Sequence, residues 1–323
     1  MVPRSSGRGT SILAGALSVV RRLTVGATPL RLELIQAASR APRLLGESSA
    51  LVRKFVLSKQ NEDGSFQDRT GRSDLYYTVF GLELMRALDV PMTREPLRSH
   101  LASFEDGESL DFVHLCCLAR CRALLGDIHP EKTSLNERLV HRIEYYRTDD
   151  GGYHPACGSA HGTAYAAFLA LGAYQDLQTK LPNLAGLRNA LQQLATPDGG
   201  WANELPAKLA STNSTAAVVG VLGHIGAGSE ILKAGQWLRA QAHPLGGFRA
   251  STFAPVPDLL STATALHTLA SMGISIAPFR EPCLNFIDTL WSNDGGFHGH
   301  WEDDILDIEY TFYGLLALGH LGE

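Results

Sequence analysis

Asp294-Gly295-Gly296-Phe297 recurs along the chain as Asp63-Gly64-Ser65-Phe66, Asp150-Gly151-Gly152-Tyr153, Asp198-Gly199-Gly200-Trp201 and Leu245-Gly246-Gly247-Phe248. A degenerate copy, Asp106-Gly107-Glu108-Ser109, falls between the first two, so the steps are 43, 44, 48, 47 and 49 residues. A period this regular describes one structural unit repeated six times.

Each unit has the same grammar. A helix with a polar face comes first, over Leu51–Gln60, Glu95–Ser103, Asn136–Arg147, Leu184–Ala195, Glu230–Gln241 and Pro278–Trp291. The turn follows, where glycine supplies positive φ and the aromatic packs back under the loop. A second helix then starts near Asp74, Asp111, His161, Ser211, Asp258 and Asp307, and Ser73 or Asp74, Ser211 or Asn213, Asp258 and Asp307 are suitable N-caps. These second helices are rich in Ala, Gly, Leu and Thr all round, as in Ala164–Gly172, Thr215–Gly223 and Tyr313–Leu321. A helix apolar on every side is buried on every side. Six buried helices alternating with six amphipathic ones predict an all-α fold, an (α/α)6 toroid, with a linear solenoid as the alternative. No strand pattern competes.

The remaining composition narrows the class. The chain has 323 residues, 45% hydrophobic and 19% charged, and a net charge of −5. No basic stripe with interleaved aromatics speaks for nucleic acid as a partner. Five cysteines, three of them crowded at Cys116, Cys117 and Cys121, favour a reducing compartment and a cytoplasmic location over a disulfide framework. No apolar run reaches the ~18 residues of a membrane span. From Met1 to Leu32 there is no acidic residue, while Arg4, Arg8, Arg21, Arg22 and Arg31 are basic. The apolar stretch from Ser11 to Val20 has the look of a targeting segment without a small-residue cleavage site. Residues 1–49 are read as a basic arm with a capping helix, a peripheral membrane contact being the alternative, and residues 50–323 as a single toroid domain.

Several side chains carry possible chemistry. Glu302-Asp303-Asp304 with Asp307 and Glu309 is the densest acidic cluster; it is a solvated loop, or a set of carboxylates that binds a divalent metal with a diphosphate or shares a proton. His161 stands at the start of a buried helix, where dipole and free N–H groups favour an anion. His154, Cys157 and His161 form one loose trio, and His114, Cys117 and Cys121 lie on one helix face, where cysteine is more often a small hydrophobe than a ligand. Tyr76, Tyr77, Phe80, Tyr165, Phe168, Tyr310, Phe312 and Tyr313 fall on inner helices, and a subset facing the axis would line an apolar funnel whose ring faces stabilise a carbocation.

The repeated turns between helix pairs resemble the prenyltransferase and squalene-cyclase repeat superfamily over roughly Ala50 to Glu323, most of all the β-subunit of protein prenyltransferases of the Rab geranylgeranyl transferase type. Ser159-Ala160-His161-Gly162-Thr163-Ala164-Tyr165 is similar to the segment whose His contacts the diphosphate. Pro257-Asp258-Leu259-Leu260-Ser261-Thr262 resembles the family's Asp-x-Cys zinc motif, and Asp307-Ile308-Glu309-Tyr310-Thr311-Phe312-Tyr313-Gly314 the segment with the zinc-binding His. The resemblance implies zinc held by Asp, Cys and His with a position open for a thiolate. Here Asp258 is kept, but the Cys position is Leu260 and the His position Tyr310, neither a suitable ligand at neutral pH. The Arg and Lys that clamp the diphosphate fall near Thr252 and Pro255, leaving Arg249 as the nearby cation. The cyclase branch uses an Asp-x-Asp-Asp acid, of which Asp258-Leu259-Leu260-Ser261 keeps one carboxylate.

The combined expectation is a prenyltransferase-like enzyme that binds an isoprenoid or prenyl diphosphate in a central cavity without the usual zinc. Asp258, Asp307 and Glu309 are its catalytic candidates, and His161, Tyr165, Asp74, Tyr77, Arg249 and Tyr310 its substrate contacts. No metal site and no cofactor is assigned, although the acidic cluster leaves a divalent ion open. A protein acceptor or an α-subunit-like partner is in keeping with the resemblance. The alternatives are a non-catalytic lipid-binding scaffold and a small terpene cyclase.

Overall fold

The computed structural model describes residues 28–128, 133–206 and 208–322; the Ser11–Val20 stretch lies outside them. Helix α1 (Leu30–Ala38) precedes the repeats. The outer and inner helices then alternate: α2 (Ser49–Ser58), α3 (Leu75–Ala87), α4 (Arg94–Ala102), α5 (Phe112–Leu124), α6 (Thr133–Glu144), α7 (Ala164–Asp176), α8 (Leu184–Gln193), α9 (Thr212–His224), α10 (Ala234–Ala240), α11 (Leu259–Ser271), α12 (Arg280–Asp288) and α13 (Ile308–Leu321). Each inner helix packs on the next, and α13 packs on α3, so the ring closes and the solenoid alternative falls away.

The turns make the ring. The first glycine of the motif has positive φ at Gly64, Gly151, Gly199, Gly246 and Gly295, and at all of these but Gly199 a Cβ would strike the outer helix of the following unit. It would lie 2.7 Å from Leu97 N at Gly64 and 2.7 Å from Gly186 Cα at Gly151. At Gly246 it would lie 2.0 Å from Pro282 O, and at Gly295 it would lie 2.2 Å from Leu51 O, on the first outer helix. The aromatic after the glycines is buried in each clear copy: Phe66, Tyr153, Trp201, Phe248 and Phe297. Its backbone N–H donates to a threonine on the inner helix at Phe66–Thr78 (2.9 Å), Trp201–Thr215 (3.0 Å) and Phe248–Thr262 (2.9 Å).

Short strands, which the sequence pattern does not announce, follow from this geometry. Phe66–Gln67 pairs antiparallel with Ser73–Asp74, and Phe248–Arg249 with Pro257–Asp258, each setting the aromatic opposite the N-cap of the next helix. The inner helices begin at Asp74, Asp111, Thr163, Ser211, Asp258 and Asp307, and each of these side chains accepts a backbone N–H three residues on. His161 is thus two residues ahead of the true cap, Thr163, and outside its helix.

Helix α1 is no surface helix. It crosses the C-terminal end of the ring with Leu30, Arg31, Ile35, Ala37 and Ala38 buried. Three glycines receive it: a Cβ at Gly172 would come 2.8 Å from Arg31 Nε, one at Gly220 would come 3.2 Å from Leu30, and one at Gly319 would come 1.9 Å from Ala37 O.

Gly295→Ala combines positive φ with a collision against immobile backbone and is expected to destabilise by ~2–4 kcal/mol. Gly226→Ala, whose φ is also positive but whose Cβ would meet open space, is expected to cost only ~1 kcal/mol. Urea unfolding of the two variants checks the difference; equal losses would show that the turn contact is not what closes the ring.

Candidate functional site

Because every inner helix is fixed at its N-cap, the residues facing the axis fall in layers counted from that cap. The uppermost layer holds Tyr76, Tyr165, Asn213, Leu260 and Glu309; the next Phe80, Cys117, Leu169, Ala217, Thr264 and Tyr313; the third Glu83, Arg120, Gly220, His267 and Leu316. A rise of 1.5 Å per residue puts the third layer about 10 Å below the first. Together they line a cavity of ≈ 560 Å³, within the range of small-molecule sites. Leu30, Arg31, Glu33 and Leu34 of α1 line its far end.

The upper half is aromatic. The Tyr76 ring packs edge-on to Phe80 at 5.0 Å between centroids, and Phe80 lies 5.6 Å from both Phe312 and Tyr313. Into this wall Tyr76 donates its hydroxyl to Glu309 Oε1 at 2.6 Å. Burial pushes the Glu309 carboxyl up to about 7, with Asp307 adding to the rise and the Tyr76 hydrogen bond and Arg69 opposing it. The result is a carboxyl group about half protonated at neutral pH, facing rings suited to a cation.

Arg69, in the first hairpin, clasps the last repeat to the first beside this pair. Its Nε donates to Asp307 at 2.7 Å, its two terminal nitrogens to Asp303 at 3.3 and 3.1 Å, and its guanidinium lies 5.5 Å from the Tyr310 ring centre. Two carboxylates of the acidic cluster, Asp303 and Asp307, are thus tied to the first repeat. Among the described residues no group of three His, Cys, Asp or Glu side chains gathers to hold a metal ion. The zinc positions fit no metal: Leu260 offers the cavity an aliphatic side chain, and Tyr310 stands against the backbone of Gly299.

Of the residues singled out from sequence, Tyr165 and Glu309 line the cavity, as do Tyr76, Phe80, Phe168, Phe312 and Tyr313 of the expected aromatic funnel. Asp74, Asp258 and Asp307 cap their helices instead, receiving the N–H of Tyr77, Ser261 and Tyr310 at 3.0, 2.7 and 2.8 Å. Asp74 also holds His114 at 3.2 Å. Tyr77 stands beside Arg69 rather than on the cavity wall. Arg249 points to the carbonyls of Ala240 and Thr252. His161 lies 3.4 Å from Asp150 and away from the cavity. Its helix start offers no free donors at Ala164, Tyr165 and Ala166, because Ala164 N donates to Asn203 O at 2.8 Å, Tyr165 N to Asn203 Oδ1 at 3.1 Å and Ala166 N to Thr163.

From sequence Tyr76 is one of several aromatics expected to supply the funnel lining, while Asn213 and the polar third layer have no assigned role. The signal that finds them is the count from the cap, which places Tyr76, not Tyr77, in register with Glu309.

The lower wall contains a buried imidazole pair, His267 Nδ1 lying 3.0 Å from His320 Nε2. Burial pushes His267 down to about 4 and His320 down to about 3. Both are neutral in the folded protein where the unfolded chain still binds protons, so stability is lost as pH falls from about 6.5 through 4. Melting temperatures between pH 7 and pH 4 should show that loss, and His320→Leu should flatten it; an unchanged slope in the variant would place the acid sensitivity elsewhere.

Comparison with known proteins places this ring in context. The prenyltransferase alpha-alpha toroid domain family model matches residues 45–105, 94–221 and 217–322. No curated protein matches the sequence. Among solved structures, a protein from Actinoplanes aligns with a TM-score of 0.62 at 15% identity, covering 85% of this chain and 100% of the other. Candida albicans protein geranylgeranyltransferase-I complexed with GGPP aligns at 0.60 and 12% identity, over 76% of this chain and 82% of that one. A variant of the type II terpene cyclase MstE from Scytonema, in complex with geranylgeranyl dihydroxybenzoate as substrate, aligns at 0.59 and 14%, over 87% and 97%. At these identities the structural likeness shows the fold alone.

Proposed function

The chain belongs to the prenyltransferase alpha-alpha toroid domain family, and within it we propose that the central cavity holds an isoprenoid chain and that Glu309 starts its conversion by protonating a carbon–carbon double bond. The observation that carries this reading is the Glu309–Tyr76 pair set in an aromatic wall.

Burial keeps the carboxyl protonated, and the Tyr76 hydroxyl, donating to Oε1, stabilises the carboxylate left when the proton departs. The proton adds to one alkene carbon and leaves a tertiary cation on the other. Neighbouring double bonds of the same chain attack that cation, and the rings of Tyr76, Phe80, Phe312 and Tyr313 stabilise the charge as it moves. Loss of a proton from a carbon beside the final cation restores a double bond, and Glu309 is recharged from solvent at the mouth. The balance is an isomerisation and needs no second reactant. Ionisation of a prenyl diphosphate is supported less, because Arg69 is held by two carboxylates and Arg249 and His161 point away from the cavity.

Incubation with geranylgeraniol, geranylgeranyl diphosphate and squalene in deuterium oxide tests this, the expected product being an isomer that carries deuterium from solvent. Glu309→Gln should slow its formation by ~100-fold or more. The rate should fall about tenfold per pH unit above the Glu309 value of about 7. In Tyr76→Phe the opposing hydrogen bond is gone, so that fall should move to higher pH while the rate drops. Products without deuterium, or formed equally by Glu309→Gln, would remove Glu309 as the acid, and release of diphosphate would point to transfer instead.

A further inference from the structure

The closed end of the cavity is chemically unlike its aromatic mouth. Arg31, Glu33, Glu83, Arg120, His224 and His267 all face it. Arg120 pairs with Glu83, both buried. His224 has Gly220 O at 2.9 Å from Nδ1, Thr28 O at 3.2 Å from Nε2, and Glu33 3.7 Å away.

Arg31 is paired more loosely, with Asp176. It is 5% exposed and its Nε stands 3.5 Å from Asp176 Oδ2, yet neither Nε nor Nη1 nor that carboxylate oxygen makes a hydrogen bond. Burial raises the Asp176 carboxyl to about 6 against the pull of Arg31. A hydrocarbon filling the cavity to its end would leave the guanidinium fork covered, with Asp176 as its counter-ion and two nitrogens without a hydrogen bond, a costly arrangement. An occupant that brings acceptor oxygens to this end relieves it.

We infer that the closed end is a head-group subsite, in which Arg31 receives the carboxylate of an isoprenoid acid while its hydrocarbon tail extends up the aromatic wall toward Glu309. The inference rests on the isoprenoid reading above and adds the ligand's polar end and its orientation. A carboxylate fits better than a diphosphate because Glu33 and Glu83 face the same space and repel further negative charge. It also fits better than an alcohol, since a planar carboxylate matches the guanidinium fork. The uppermost layer, about 10 Å from the third, then receives the part of the chain remote from the acid.

Binding of geranylgeranoic acid, geranylgeraniol and geranylgeranyl diphosphate to the full chain, read by tryptophan fluorescence and calorimetry, tests the subsite. The wild type should bind the acid about tenfold or more tighter than the alcohol. Arg31→Gln should abolish that preference with the alcohol's affinity kept, and Arg31→Lys should retain part of it. Because Arg31 also packs on the ring, Asp176→Asn supplies a variant that keeps the guanidinium and removes its counter-ion; it should strengthen the preference. Equal binding of acid and alcohol, a preference that survives Arg31→Gln, or tightest binding of the diphosphate would overturn the subsite and leave isoprenoid binding standing. Binding of none of the three would overturn both.

Discussion

The contact between a turn glycine and the backbone of the next outer helix is what the rest of this structure depends on. At Gly246 and Gly295 a single added carbon would sit 2.0 and 2.2 Å from the carbonyl oxygens of Pro282 and Leu51. The turn is therefore a docking joint as well as a change of direction. Joints of this kind at Gly64, Gly151, Gly246 and Gly295 dock a unit on the next, and the one at Gly295 brings the last unit against the first. Since backbone meets backbone, the joint leaves little play, and the position of each inner helix is set from its outer end.

That rigidity explains how a central site arises from helices with no strong facial pattern. The cap residue fixes where each inner helix begins, and the threonine that receives the aromatic N–H at Thr78, Thr215 and Thr262 fixes its rotation. Six helices started at one level and turned alike necessarily bring their side chains to the axis in rings. One such ring contains Tyr76 and Glu309, residues far apart in the chain and on neighbouring helices in space. The acid and its hydrogen-bond donor meet across the seam where the toroid closes, with Arg69 as the clasp beside them.

Much of the fold is legible because its determinants are local. Glycines at positive φ, an aromatic after them and an N-cap before an apolar run each act within a few residues, and five of the six units announce themselves this way, the copy at Asp106-Gly107-Glu108-Ser109 lacking the aromatic. The site is less legible for a physical reason. Helices apolar on every side carry no mark of which face meets the axis, so the sequence does not separate Tyr76, which lines the cavity, from its neighbour Tyr77. An aspartate at a helix start also has two meanings, and at Asp258 and Asp307 the capping role prevails. The anion site expected at His161 fails because loop residue Asn203, nearly forty positions on, already answers the helix N–H groups. Nothing near Leu30–Ala38 reveals its seat, which is written in glycines at Gly172, Gly220 and Gly319.

That seat separates two properties that usually travel together. The bore of the toroid belongs to the repeats, but its depth belongs to a helix outside the repeat pattern, wedged where three side chains are missing. A longer or bulkier residue at Leu30, Arg31 or Leu34 shortens the chamber without disturbing a single joint of the ring, and a smaller one lengthens it. The N-terminal helix thus works as the stop of a measuring gauge: changes confined to it would let one ring be matched to ligands of different length.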